Sequence, residues 1–248
     1  MFKALTDKIA SLVVSHPNRI AELNGLMSGS TNVYIDYANI RPWSNKLGWH
    51  IDLRRLKQFL SSFDNIKSIK IYHGMLIGDK ESEKNIKEMK KYFDLKTKPV
   101  KILKHSIYAS SISSTSADLL KKFIRNCLLK KYDLETVEYL NFKFKEMNKN
   151  GVYYIEDLKC NFDVEIGRDM LLDYERNSCD TFVLWSVDSD FADPVSQLIK
   201  DNKKVILFAT AGKVSAELNE LTKSGLIIFE INKIRNFICW KKEINKSG

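Results

Sequence analysis

The sequence predicts an α/β protein built on a mostly parallel sheet. Three observations lead there. Apolar runs of strand type recur along the chain, at NVYID, TFVLWS, KKVILFA and LIIFEI. Segments with helical spacing separate them, as in IDLRRLKQFLSSF and FADPVSQLIKD. The alternation resumes after one long interruption, so a single sheet carries an insertion. Strands alternating with helices give a parallel sheet covered on both faces.

Taken in order, residues 1–30 form an N-terminal helical segment, with Leu5, Ile9, Leu12, Val13, Ile20, Leu23 and Leu26 at helical spacing. Pro17 divides it into two helices. MSGST breaks the pattern, and NVYID, Asn32 to Asp36, is a buried strand. IDLRRLKQFLSSF is an amphipathic helix, IKSIKIYHG a strand, EKNIKEMKKYF a lysine-faced helix and KPVKILKHS a short strand. The rhythm stops over residues 106–157. A serine-rich loop there leads to DLLKKFIRNCLLKKY and LETVEYLNFKFKEMNK, which read as an inserted helical hairpin. FDVEIGRDMLLDYER is a helix, followed by TFVLWS, a helix bearing Pro194 in its first turn, KKVILFA, the helix KVSAELNELTK and LIIFEI. Residues 31–105 and 158–232 thus make one α/β domain. Residues 233–248 add a helix from about Lys233 to Trp240 and a tail.

Composition bounds the function. The 248 residues include 40 Lys and Arg against 31 Asp and Glu, a formal charge of +9. That excess suits a polyanionic partner, nucleic acid above all, although lysine-rich composition also arises without one. Cys127, Cys160, Cys179 and Cys239 show neither metal-ligand nor disulfide spacing and read as reduced, partly buried thiols. No stretch nears the roughly 18 apolar residues of a membrane span, so a cytoplasmic protein away from membranes is expected. There is no glycine-rich dinucleotide loop, no Walker loop and no nucleophile elbow.

In open parallel sheets, ligands sit at the carboxyl ends of strands near a switch in strand order. YIDYAN places Asp36 and Asn39 at such an end. VLWSVDSD places Ser186, Asp188 and Asp190 at another, and Asp163 opens the preceding helix. Clustered carboxylates repel, and a divalent cation removes the conflict. Hard oxygen donors suit Mg²⁺ or Mn²⁺, which activate water and stabilise a leaving oxygen in phosphodiester hydrolysis. Each aspartate alone reads better as a turn former or a helix cap, and it is the four together that point to a metal.

These residues resemble a family. VLWSVDSDFADPVSQLIKDNKKVILFA is similar to the segment of NYN domains that runs strand, Ser-Gly-Asp-Ser-Asp-Phe, helix, Gly-Lys-x-Val. VYIDYANI resembles the opening Asp-x-x-Asn strand, and KCNFDVEIGRDML the Lys-x-x-x-Asp-Val motif. The resemblance covers about Asn32 to His105 and Leu158 to Ile231. NYN domains belong to the PIN-like nucleases, so it implies a three-layer PIN-like fold and a Mg²⁺- or Mn²⁺-dependent ribonuclease acting on single-stranded or looped RNA. It implies that Asp36, Asp163, Asp188 and Asp190 hold metal and catalyse. Asn39, Ser186, Asp169 and Ser215 match supporting positions. Asp169 lies about 120° round the helix from Asp163 and ranks below the rest. Val187 stands where the family has glycine, and Asn202 replaces the glycine before Lys203. A valine there disfavours positive φ, which raises the alternative of a catalytically weak RNA- or protein-binding module. A phosphatase reading wants a tighter Asp-x-Asp at the first strand and finds Asp36-Tyr37-Ala38.

RPWSNKLGWH follows the first motif and offers Arg41 and Lys46 to phosphates. Trp43 and Trp49 either stack on bases or cover the first helix as core. Lys159, four residues before Asp163, is a candidate phosphate contact. The basic, apolar-faced insertion suits a homodimer interface or nucleic acid backbone.

Overall fold

A computed structural model describes residues 1–210 and 212–239. Of Asn126 and Cys127 only the backbone is described. The chain divides into two compact units, Val100–Lys159 and the remainder on either side of it.

The larger unit opens with α1 (Asp7–Ser15), whose first turn is capped by Thr6, and α2 (Pro17–Leu26), with Pro17 in its first turn. Then come β1 (Thr31–Asp36), the one-turn helices α3 (Tyr37–Ile40) and α4 (Ser44–Leu47), α5 (Leu53–Leu60) and β2 (Ile66–Met75). The helix α6 (Lys80–Lys90) and strand β3 (Asp94–Pro99) complete its first half. Every residue of β1 is buried, as helices on both faces of a central strand require.

The smaller unit holds β4 (Lys101–Ser106), a 3₁₀ turn at Leu120–Lys122, α7 (Asn126–Leu129), α8 (Leu134–Lys149) and β5 (Tyr154–Lys159). β4 and β5 pair antiparallel, Lys101 opposite Lys159 and Ser106 opposite Tyr154. Ile107, Leu119, Leu120, Val137 and Phe144 form this unit's own core.

The larger unit resumes with α9 (Asp163–Glu175), β6 (Thr181–Trp185), α10 (Ala192–Lys200), β7 (Lys204–Ala209), α11 (Ala216–Glu220), β8 (Ile227–Glu230) and α12 (Arg235–Ile238). Six strands form one sheet in the order β3-β2-β1-β6-β7-β8, and all its pairs are parallel. This is the α/β fold with a central parallel sheet that the sequence predicts. β1 sits mid-sheet, joined to β2 on one side and β6 on the other, so the order of connection reverses between β1 and β6.

Four expectations need correction. KPVKILKHS is not one strand: Pro99, with no N–H to donate, ends β3, and Lys101–Ser106 pairs with β5 instead of the main sheet. The second unit therefore begins at Val100 rather than Ser106. The sheet's true edge, DLKTKP, escapes apolar-run reading because it is half exposed and carries Asp94, Lys96 and Lys98. The first arm of the predicted helical hairpin is only a 3₁₀ turn and the single turn of α7. Leu119 and Leu120 are buried, but Phe123 and Leu128 are exposed, so no continuous stripe holds a longer helix. At the C-terminal end, Ile231–Ile234 is a 3₁₀ turn before α12, and Trp240 with the tail lies outside the described residues.

Candidate active site

The reversal of strand order sets the site. Ile35 and Trp185 are partners in register across β1 and β6, so Asp36 and Ser186 leave the sheet side by side. Asp36 is 5% exposed. It caps α3: its carboxylate accepts the N–H of Asn39 at 3.1 Å and the hydroxyl of Ser186 at 3.4 Å. Asn39 accepts the N–H of Val187 through its Oδ1 at 3.3 Å, which ties the loop after β6 to the helix after β1. Ser186, fully buried, also accepts the N–H of Asp188 at 3.3 Å. Asp188 caps the following 3₁₀ turn by accepting the N–H of Asp190 at 3.3 Å. Asp163 is the first residue of α9, and its carboxylate accepts from the amide of Asn161 at 2.7 Å. Ser215 caps α11, and its own N–H donates to the carbonyl of Val187 at 3.3 Å.

Charge links the four aspartates. Burial pushes the Asp36 carboxyl up to about 6; the Asn39 N–H opposes this, and the charges of Asp163 and Asp188 add to it. Asp163 is raised as well, by burial first and then by Asp188 and Asp190. None of the four takes part in an ion pair among the described residues. The electrostatic conflict inferred from the sequence is therefore built into the fold and uncompensated by a protein cation.

The other predicted residues fall elsewhere. Asp169 accepts from the Tyr72 hydroxyl at 2.9 Å and pairs with Arg168 at 2.9 Å. Burial acts to raise its pKa, but those two donors outweigh burial and hold it below the usual carboxylate range. It braces α9 against β2. Trp43 and Trp49 are 1% and 2% exposed, and Trp49 donates its ring N–H to Asn232 at 3.3 Å. The base-stacking reading of both is corrected: the short turns after β1 fold this segment back, and the rings complete the core. Arg41 and Lys46, on the same segment, are exposed. Lys159 is exposed at the end of β5 in the other unit.

Val187, the departure from glycine, does not have positive φ; among non-glycine described residues only Asn177 and Asn202 do. Its backbone is held at both ends, by Asn39 and by Ser215, in a conformation valine accepts. Asn202, with φ of 58°, takes the left-handed helix end in glycine's place. Sequence reading missed Asn161 and Cys160. The Cys160 thiol is pushed up by burial and feels the Asp36 charge. The only signal for Asn161 was its position two residues before Asp163.

A family model for the NYN domain matches residues 30–227. The chain belongs to the NYN domain family. The NYN domain is therefore interrupted, since the match spans the Val100–Lys159 unit. Among solved structures, a Vibrio parahaemolyticus protein of unknown function is similar, with 14% identity, a TM-score of 0.50, and coverage of 85% of this chain and 96% of that one. That likeness concerns the fold alone. No curated protein matches the chain. Among the described residues no helix is long and apolar enough to cross a membrane.

NYN domains belong with nucleases that use divalent metal ions. The donor set here fits such an ion in its chemistry: hard oxygen donors, two of which, Asp36 and Asp163, are raised by burial and then by the charges of neighbouring aspartates. Among the described residues no three His, Cys, Asp or Glu side chains are already gathered around a common point. The carboxylates of Asp36, Asp163 and Asp188 are instead held by local donors, and their oxygens keep lone pairs beyond the one used.

Proposed function

We propose that the chain is a metal-dependent ribonuclease that hydrolyses phosphodiester bonds in single-stranded or looped RNA. The observation that carries this reading is the charge coupling of Asp36, Asp163, Asp188 and Asp190, which come from three separate segments on both sides of the strand-order reversal. Asp36, Asp163, Asp188 and Asp190 would hold Mg²⁺ or Mn²⁺. The ion would supply charge neutralisation and Lewis-acid polarisation of a phosphate. Ser186 and Asn39 keep Asp36 and the loop after β6 in place. Exposed Arg41 and Lys46 are assigned to phosphates of the strand, and Lys159 is assigned separately as a phosphate contact of the inserted unit. The formal charge of +9 supports a polyanionic substrate.

The test is cleavage of labelled single-stranded RNA with Mn²⁺, with Mg²⁺ and with EDTA, beside Asp188→Asn. Cleavage that requires metal and disappears in the variant is expected. RNA binding without cleavage under every condition would replace the proposal with a catalytically weak binding module.

A further inference from the structure

The two units differ sharply in where their aromatic rings lie. Of the Phe and Tyr rings in Val100–Lys159, Phe144 alone is buried and all the others are exposed. Among the described residues, no Phe, Tyr or Trp of the larger unit reaches comparable exposure. Large rings clustered in water mark an interaction surface.

The rings are accompanied by lysines. The Lys104 ammonium lies 4.2 Å from the centre of the Tyr154 ring. Lys143 lies 5.3 Å from Phe142 and 5.6 Å from Tyr139, both on the outer side of α8. Tyr108 and Tyr153 lie 6.1 Å apart, beside Tyr154 in sequence. Tyr139, Phe142 and Tyr108 are each more than half exposed, at 59%, 53% and 52%. Lys and Arg outnumber Asp and Glu by eleven to seven within the unit.

We infer that the inserted unit is a stacking platform for unpaired nucleotides of an RNA strand. This rests on the reading of the chain as a ribonuclease and assigns affinity for substrate to a part of the chain that carries none of the four aspartates. Exposed rings paired with cations suit single-stranded nucleic acid, since every base offers a face to stack and every linkage a negative charge. A second copy of the chain fits less well. Protein interface cores are depleted in lysine, and burying these rings would strip water from the ammonium groups lying over them.

The test uses the full chain in EDTA, so that nothing is cut, with a fluorescein-labelled oligouridylate and a labelled RNA duplex. Two variants are compared with wild type, Tyr139→Ala with Phe142→Ala, and Tyr153→Ala with Tyr154→Ala. A third, Tyr153→Phe with Tyr154→Phe, keeps the rings. The rings are exposed, so melting temperatures stay near wild type. Single-strand affinity falls by about tenfold or more in each alanine variant and is kept in the phenylalanine variant. With Mn²⁺ added, the alanine variants raise KM and leave kcat unchanged. Unchanged single-strand binding in both alanine variants overturns the platform while leaving the ribonuclease reading intact. So does equal loss of single-strand and duplex binding, or a change from dimer to monomer in sedimentation with affinity per copy preserved. Wild type that neither binds nor cuts the oligouridylate overturns both.

Discussion

Asp36→Asn stabilises the metal-free protein near neutral pH, although it removes a residue assigned to the active site. Asp36 is 5% exposed, and burial with its acidic neighbours raises its pKa from 3.8 to about 6. The raised pKa means the folded state holds the proton more tightly than the unfolded chain. Stability is fully present below about pH 3.8 and is lost as pH rises through about 6. A shift of that size corresponds to about 3 kcal/mol. Asparagine keeps the cap on α3, because its side-chain oxygen also accepts the Asn39 N–H, and it carries no charge to bury. The variant is therefore more stable by about 2–3 kcal/mol, or about 4–12 °C in melting temperature for a chain of this length. The assay is thermal and urea unfolding of both proteins in EDTA, near neutral pH and at about pH 4. The advantage largely disappears at the lower pH. His73 titrates in the same window with the opposite sign: burial lowers it to about 4, so its contribution is lost as pH falls from 6.5. It is present in both proteins and cancels in the difference. A variant less stable than wild type near neutral pH, or a difference that does not shrink in acid, would refute the reasoning.

Other perturbations act through single contacts. Lys70→Met leaves Asp173, 8% exposed, without its 2.6 Å ion pair, and lowers stability by about 3 kcal/mol in urea unfolding. Val187→Gly restores the family's glycine where no positive φ is needed; it costs about 1–2 kcal/mol and does not raise the rate of RNA cleavage. Trp43→Ala empties a core position and costs about 3–5 kcal/mol, and the milder Trp43→Phe leaves KM for RNA unchanged, as a ring that touches no base requires. Gly29→Ala is destabilising by about 1–3 kcal/mol, since φ is 79° and a Cβ would stand 2.9 Å from the Asp180 carboxylate that holds Ser30.

The sequence by itself determined the α/β fold and the alternation of its central elements. NVYID and TFVLWS are buried along their length, and a run of that kind has no other place in a parallel sheet. It also determined which aspartates stand at strand ends, because the position of Asp36 after β1 and of Asp188 after β6 is a local fact of chain order. Strand order and partner choice belonged to the tertiary structure. Nothing local makes Lys101–Ser106 pair with Tyr154–Lys159, and nothing local distinguishes Trp43 as core from Trp43 as a stacking ring. Those outcomes depend on which surfaces remain uncovered once the sheet has formed. The same holds for the charge on Asp36: a carboxylate's pKa is set by burial and by neighbours that chain order leaves far away, here Asp163 and Asp188.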